Sequence, residues 1–302
     1  MYDLIILGGG PAGLTAAVYS IRKRLEVLVI SPDLGGKTGM HMHLPDNLER
    51  FQVITGDEVV SRFKSQIEYL EFARKLEHGE KVEAITGGYA VTTKEGHQYE
   101  AKALIVATGA TPVRLNVPGE SKYRFRGLAY SAVSYAPLFI DRTAAVVGEG
   151  ELGLKSALEL SQIARQVYLI LPAASLLDNP MGKKLKASKS VTVLEGYSVK
   201  EVKGEGTYAK SIVVAKGKEE KDLPVDVTFV ELELIPNSEL VANLVKLNKQ
   251  KQIVVDSRNR TSQPGIFAAG DVTDVHAEQV LICIGEGAKA SLTAYEYLLA
   301  LA

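Results

Sequence analysis

The chain has 302 residues, of which 35 are Lys or Arg and 36 are Asp or Glu, so its formal net charge is −1. At roughly 100–200 residues per domain, this length predicts about two domains. A content of 46% hydrophobic and 24% charged residues is typical of a globular protein. So balanced a charge argues against nucleic acids and anionic membranes as main partners, because both favour a basic excess. The single cysteine, Cys283, excludes both an intramolecular disulfide and a dithiol redox centre within the chain.

No segment has the pattern of a targeting peptide or a membrane span. The first apolar run, Leu4–Leu7, has no basic residues before it and stops at three glycines. No stretch approaches the ~18 apolar residues that a transmembrane helix needs. With one thiol and no targeting signal, we expect a cytoplasmic protein.

The first third of the chain predicts the beginning of a parallel sheet. A buried-strand pattern over 4–7 leads into the glycines of 8–13, and a helix over 14–24 and a strand over 26–30 follow. The next predicted elements are a loop over 31–56, a helix over 57–76, antiparallel strands over 81–83, 89–93 and 98–100, and a buried strand over 103–107.

The same pattern then starts again. A strand over 143–147 leads into the glycines of 148–153, with a helix to about 164 and a strand over 166–171 behind them. The remaining predicted elements are a second antiparallel meander over 191–230, a strand over 265–269 and a C-terminal helix over 285–299. The duplication predicts an α/β fold with two Rossmann-like, three-layer nucleotide-binding domains, each with a small β-meander.

The first glycine turn, Gly8-x-Gly10-x-x-Gly13, has the spacing of a dinucleotide site. The first glycine permits a tight turn, the second lets a pyrophosphate approach the backbone, and the third packs helix against strand. The pyrophosphate then sits at the helix N-terminus, where free N–H groups favour an anion. The second strand ends near Ser31 and Asp33, and either side chain is a candidate for the adenosine ribose.

The second glycine turn places Gly148, Gly150 and Gly153 at the same spacing. Glu149 and Glu151 lie within the turn and would repel a phosphate unless they point away. The sequence therefore leaves two interpretations open: a second nucleotide site, or a scaffold that has kept the turn without its ligand.

Four motifs in order point to a family. They are the segments 8–13, 107–109, 148–153 and 265–271, and the loops 35–37 and 54–56 extend the match. In this order and spacing they resemble the low-molecular-weight thioredoxin reductase family over nearly the whole chain. The resemblance implies a homodimer and a discontinuous FAD-binding domain over 1–114 and 235–302. It also implies an inserted second nucleotide-binding and redox-site domain over 115–234, hinged near 112–116 and 234–236.

The resemblance further implies which residues bind FAD. Three glycines take the pyrophosphate, an aspartate takes the ribityl chain, and the start of the last helix takes the flavin end. The implied set is Gly8, Gly10, Pro11, Ala12, Gly13, Ser31, Gly36, Lys37, Asn47, Thr108, Gly109, Gly270, Asp271, Gln279 and Val280.

One departure from the family concerns the redox site. Where the family carries Cys-x-x-Cys, this chain has Ser131 and Ser134, and the neighbouring family acid is Tyr135. A hydroxyl forms no disulfide and offers no thiolate to attack one. The pair is open to three interpretations: a plain polar turn, an engineered replacement of cysteines, or a natural lineage that lost the disulfide.

A second departure concerns the nicotinamide site. The family's basic cluster is replaced by Pro172, Ala173, Ala174 and Ser175, and Glu233 stands where a glycine precedes the returning Pro-Asn. In these features the chain resembles ferredoxin-dependent flavin thioredoxin reductases and diflavin-linked disulfide oxidoreductases. We therefore expect FAD, doubt NADPH and leave room for a second dinucleotide or flavin at Gly148, Gly150 and Gly153.

The predicted function is an FAD-dependent, thioredoxin reductase-like disulfide oxidoreductase whose disulfide step is inactive. Its expected partners are a thioredoxin-like protein or small disulfide as substrate, with ferredoxin among the candidate donors. The alternatives are a disulfide-independent flavin reductase, of ferredoxin–NADP reductase or NADH oxidase type, and a non-catalytic FAD-binding protein. We predict no metal site, since His41 and His43 have no evident third ligand.

Overall fold

The computed structural model describes residues 1–39, 56–172 and 177–301. The chain divides into two compact units. The first contains the described residues 1–39, 56–111 and 235–301, and the second contains 112–172 and 177–234. No helix among the described residues is long and apolar enough to cross a membrane.

The helices and strands are numbered in chain order. The strands are β1 (Tyr2–Leu7), β2 (Val27–Ile30), β3 (Arg74–Lys75), β4 (Gly79–Ile85), β5 (Gly88–Thr93), β6 (Gln98–Val106), β7 (Ala110–Pro112), β8 (Leu128–Ala129), β9 (Thr143–Gly148), β10 (Gln166–Leu171), β11 (Val191–Glu195), β12 (Ser198–Glu205), β13 (Tyr208–Lys216), β14 (Glu219–Pro224), β15 (Val227–Glu231), β16 (Leu234–Pro236) and β17 (Ile266–Ala268). The α-helices are α1 (Pro11–Arg22), α2 (Gly56–Tyr69), α3 (Glu120–Tyr123), α4 (Ala132–Tyr135), α5 (Glu151–Leu160), α6 (Pro180–Ala187) and α7 (Val280–Leu301).

The first unit is built around a sheet in the order β3-β2-β1-β6-β5-β4, with β17 also paired to β6. β1 runs parallel to both β2 and β6, and its residues 4–7 are at most 1% exposed. A strand buried on both faces reads as a continuous apolar run rather than an alternating one, which is the pattern at 4–7. Separate hydrophobic clusters cover the two faces of this sheet, and one of them contains α1 and α7.

The second unit repeats this plan. Its parallel sheet has the order β11-β10-β9-β15-β8, and β12, β13 and β14 form an antiparallel meander. One cluster packs α5 against the sheet, and another fills the space beside the meander. The mixed α/β architecture, with parallel strands at the centre of both main sheets and antiparallel β4 and β5 at one edge of the first, confirms the predicted fold class.

Several element boundaries differ from the sequence prediction. The helix predicted over 57–76 ends at Tyr69, because Leu70 leaves helical geometry, and β3 follows to join β2. The strands predicted over 98–100 and 103–107 form one continuous strand, β6.

The prediction of an antiparallel meander over 191–230 is wrong at both ends of that range. Only β12 to β14 are antiparallel, whereas β11 and β15 are parallel strands of the main sheet. Buried strands connected by short turns resemble a meander in sequence, because the direction of pairing leaves no trace in the periodicity. The last helix begins at Val280 rather than 285, since Gly285 and Gly287 are accommodated within it.

Candidate functional site

The first glycine turn is formed by close contact between its outer glycines. A Cβ on Gly13 would lie 1.8 Å from the carbonyl oxygen of Gly8, and one on Gly8 would lie 2.2 Å from that of Ala107. Gly8 also has a φ of +114°, which side chains rarely tolerate. A Cβ on Gly10, in contrast, would meet no described atom within 4 Å. The turn is therefore compact inside and open at the glycine expected to face a ligand.

The helix behind this turn is free to receive an anion. Gly10 is the N-cap of α1, no described side chain caps the helix, and its first turn has no acidic residue. Uncapped N–H groups and the helix dipole make such an end a site for a negatively charged group. The open cradle and the uncapped helix thus fit the pyrophosphate of FAD.

Both candidates for the ribose contact support the loops around the turn. The Ser31 hydroxyl accepts a hydrogen bond from the Gly9 N–H at 2.8 Å, and Ser31 is only 5% exposed. The Asp33 carboxylate accepts from the Gly36 N–H at 2.9 Å and is exposed. Ser31 therefore holds the turn from within, which leaves Asp33 as the more accessible of the two.

A charged cluster surrounds the aspartate expected at the ribityl chain. The Lys37 Nζ lies 2.6 Å from Asp271 Oδ2, and the Cys283 thiol donates to Asp271 Oδ1 at 3.2 Å. The Asp271 side chain is 11% exposed, so a polar chain could still reach it. Burial, together with the Asp271 charge, raises the pKa of the Cys283 thiol. Cys283 is accordingly a buried small residue rather than a reactive thiol.

Asn237 is a site residue that sequence reasoning passed over. Its side-chain amide donates to the Thr108 carbonyl at 2.9 Å, and the Thr108 hydroxyl donates to the Asn237 carbonyl at 2.7 Å. The Asn237 N–H donates to the Gly109 carbonyl at 2.9 Å. Thr108 and Gly109 are thereby fixed where the chain leaves the first unit and returns to it. The Pro-Asn pair after β15 was the only sequence signal for this role.

The second glycine turn has the same shape as the first and is followed by an acidic residue. A Cβ on Gly148 would lie 2.7 Å from the Gly153 Cα, while one on Gly150 would meet no described atom within 4 Å. Glu151 lies in the first turn of α5, at the helix end that would face a phosphate. It forms an exposed ion pair with Lys155 at 3.5 Å.

The two serines form a hydrogen-bonded pair at the start of α4. Ser131 is the N-cap, and its hydroxyl oxygen accepts from the Ser134 N–H at 3.3 Å. The two hydroxyl oxygens lie 3.0 Å apart, with Ser131 donating. Burial raises the pKa of Tyr135, so this phenol is a weaker acid than usual. The Ala132 N–H donates to the Glu231 carboxylate at 2.5 Å.

Some predicted positions lie outside the described residues, namely Asn47, His41, His43 and 173–175. Gln279 and Val280 lie at the start of α7, where the Cys283 N–H donates to the Gln279 carbonyl at 2.9 Å. In the part of the chain that the structure describes, no group of three or more His, Cys, Asp or Glu residues is arranged to hold a metal ion.

The fold and the paired glycine turns define a protein with two Rossmann-like units. The profile of the family described as "Pyridine nucleotide-disulphide oxidoreductase" matches residues 2–287. The chain belongs to this family, and FAD is the cofactor that this membership supports.

Three comparisons show which proteins this chain is similar to. The solved thioredoxin reductase of Streptococcus pyogenes MGAS5005 superposes with a TM-score of 0.88 at 30% identity, covering 99% of each chain. A ferredoxin-flavin thioredoxin reductase from Clostridium acetobutylicum superposes with a TM-score of 0.51 at 25% identity, covering 99% of this chain and 98% of that one. The F component of alkyl hydroperoxide reductase from Pseudomonas putida is 34% identical over 304 residues, which span 99% of this chain but only 58% of that relative.

Proposed function

We propose that this chain is an FAD-dependent, thioredoxin reductase-like flavoprotein that lacks the disulfide half-reaction. The observation that carries the proposal is the Ser131–Ser134 pair, whose hydroxyls are hydrogen-bonded at 3.0 Å. A dithiol gives up two electrons when it becomes a disulfide, whereas two hydroxyls have no corresponding oxidised form. Electrons delivered to this flavoprotein therefore stop at the cofactor or leave it by another route.

We assign FAD binding to the first unit. When bound, FAD supplies an isoalloxazine ring that accepts and releases electrons. The open face of Gly10 and the uncapped start of α1 support a role in binding the pyrophosphate. Lys37 and Asp271, joined at 2.6 Å, support a polar contact to the ribityl chain. We assign Gly270, Gln279 and Val280 to the same site.

We propose a donor other than NADPH. Glu151 in the first turn of α5 opposes a pyrophosphate at the second glycine turn, and Glu149 is exposed beside it. A relative named as a ferredoxin-flavin enzyme makes ferredoxin the first donor to test. A thioredoxin-like protein or small disulfide remains the partner class of the original redox site, and we expect a cytoplasmic homodimer.

The donor is tested by an anaerobic titration of the FAD-loaded protein with NADPH, followed through the visible flavin bands. We expect no bleaching at stoichiometric NADPH and full bleaching with dithionite or reduced ferredoxin. Rapid bleaching by NADPH would overturn the loss of the nicotinamide site. It would favour a disulfide-independent reductase or oxidase, whereas a flavin that no protein or nicotinamide donor reduces would favour a non-catalytic FAD-binding protein.

The redox positions are tested by Ser131→Cys combined with Ser134→Cys. Dithionite uptake should rise from one electron pair per flavin to two, because a disulfide between the new cysteines accepts the second pair. The matched control is Ser131→Ala with Ser134→Ala, which should still take up one pair. If a spectroscopically intact double-cysteine variant also takes up one pair, positions 131 and 134 are not the redox site.

A further inference from the structure

The turn that carries Asp271 is held between the first and the last helix of its unit. A Cβ on the preceding Gly270 would lie 3.1 Å from the Ala12 Cβ and 3.4 Å from the Cys283 Sγ. Ala12 belongs to the first turn of α1, and Cys283 belongs to the first turn of α7. The backbone beside Asp271 is therefore packed against both helices.

The Asp271 carboxylate has one buried and one exposed partner. Its Oδ1 accepts the Cys283 thiol at 3.2 Å, and its Oδ2 lies 2.6 Å from the Lys37 Nζ. Cys283 is 8% exposed, whereas the Lys37 side chain is 44% exposed. A lysine has a long flexible stem, whereas a buried cysteine turns its side chain about a single bond. The thiol therefore sets where the carboxylate points, and the lysine mainly balances its charge.

The thiol suits this contact because it keeps its proton. Burial first, and then the neighbouring Asp271, raise the pKa of Cys283, so that at neutral pH it donates to the carboxylate. Each carboxylate oxygen has a further lone pair to offer, and the Asp271 side chain is 11% exposed. A hydroxyl arriving from the solvent side can thus be accepted without displacing the thiol.

We propose that Cys283 is a positioning residue that orients the Asp271 carboxylate for the ribityl hydroxyls of FAD. The thiol takes no part in electron transfer and holds Oδ1 from the buried side, so that the open side of the carboxylate is left for the ligand. Because this contact orders the carboxylate before FAD binds, its loss weakens binding. The inference rests on the proposed function in taking Asp271 as the ribityl contact.

The test is the affinity for FAD of the full-length chain freed of FAD, measured by the change in flavin fluorescence on binding. Cys283→Ala removes the donor, and Cys283→Ser replaces the thiol by a hydroxyl donor. The matched control is Ser291→Ala in the same helix, which removes the buried 2.7 Å hydrogen bond to Ser20 and leaves both partners of Asp271 in place. We expect Cys283→Ala to raise the Kd about threefold to tenfold, since one hydrogen bond to a charged group is lost. Cys283→Ser and Ser291→Ala should bind FAD like the parent chain.

Equal affinities of Cys283→Ala and the parent chain would overturn the inference. Equal weakening in Ser291→Ala would also overturn it, because the effect would then belong to helix packing rather than to Asp271. A parent chain that binds no FAD would overturn the proposed function and this inference with it, whereas the first two results overturn this inference alone.

A second measurement needs no FAD and decides if Cys283→Ala does not fold. Because Cys283 is the single cysteine, the infrared S–H stretching band of the chain belongs to it alone. The band should move to higher frequency in Asp271→Asn, where the acceptor has lost its charge and the hydrogen bond is weaker. An unmoved band would show that the thiol does not bond to the carboxylate, and the inference would be wrong.

Discussion

At the scale of single residues, Cys283 illustrates how surroundings decide chemistry. The thiol is 8% exposed, lies in the core cluster around α1 and donates a hydrogen bond to Asp271. Burial first, and then the neighbouring carboxylate, raise its pKa. A thiol that stays protonated is a poor nucleophile, so its presence next to the proposed cofactor site implies no redox role.

Cys283 should react with a disulfide reagent such as DTNB only after unfolding. The native protein should release negligible thionitrobenzoate over the time in which the urea-unfolded chain reacts fully. Ser134→Cys is the positive control, because position 134 is exposed and its thiol should react without denaturant. Fast reaction of the native parent chain would contradict the buried, protonated state.

The same residue predicts how stability depends on pH. With its folded-state pKa raised, Cys283 contributes stability that is fully present below the unfolded pKa, ~8.5, and is lost as pH rises above it. Between pH 7.5 and 9.5 the loss should be about 1.4 kcal/mol from this group. Urea unfolding of the parent chain and of Cys283→Ala at both pH values measures it, and an equal loss in the two proteins would exclude Cys283 as its source.

At the scale of elements, the first unit depends on close packing between α1 and α7. A Cβ on Gly287 would lie 2.1 Å from the Ala12 carbonyl oxygen, and the buried hydroxyls of Ser20 and Ser291 meet at 2.7 Å. Ala12 belongs to the first turn of α1, which we propose for the pyrophosphate. The approach of α7 therefore helps to set the position of the anion-binding helix end.

Gly287→Ala should lower the free energy of unfolding by about 1–3 kcal/mol, because backbone atoms of α1 must shift to admit the methyl group. FAD retention on gel filtration should fall with it. The control is Gly285→Ala in the same helix, where a Cβ meets no described atom within 4 Å. That variant should gain roughly 0.5–1 kcal/mol from helix propensity alone. A stable Gly287→Ala protein with full FAD content would show that α7 can retreat at no cost.

Elements with a local cause were predictable from the sequence. Both glycine turns and the strands leading into them follow from spacing and from apolar runs such as 4–7. Features that depend on pairing with distant residues were not predictable in this way. The end of α2 at Tyr69 and the strand β3 behind it depend on pairing with β2, and the roles of β11 and β15 depend on parallel neighbours.

At the scale of the whole molecule, the candidate site also combines residues that a local motif predicts with residues that only distant contacts bring in. The positions of Gly10, Ser131 and Asp271 could be read from motifs in the chain. Glu231 could not, because it reaches Ala132 across 99 positions of sequence, nor could Asn237, which contacts Thr108 across 129. Only the folded chain brings such pairs together.

The position of β17 has a consequence for how the protein is made. This strand pairs with β6 through Ile266 and Leu104, although every strand of the second unit, from β8 to β15, is translated between the two. During translation, the part of β6 that pairs with β17 therefore has an uncovered apolar edge while the intervening unit emerges and folds. Exposed edges of this kind invite wrong partners. The first sheet of this chain is therefore most open to wrong pairing at the stage when the inserted unit is complete and the last strand is still missing.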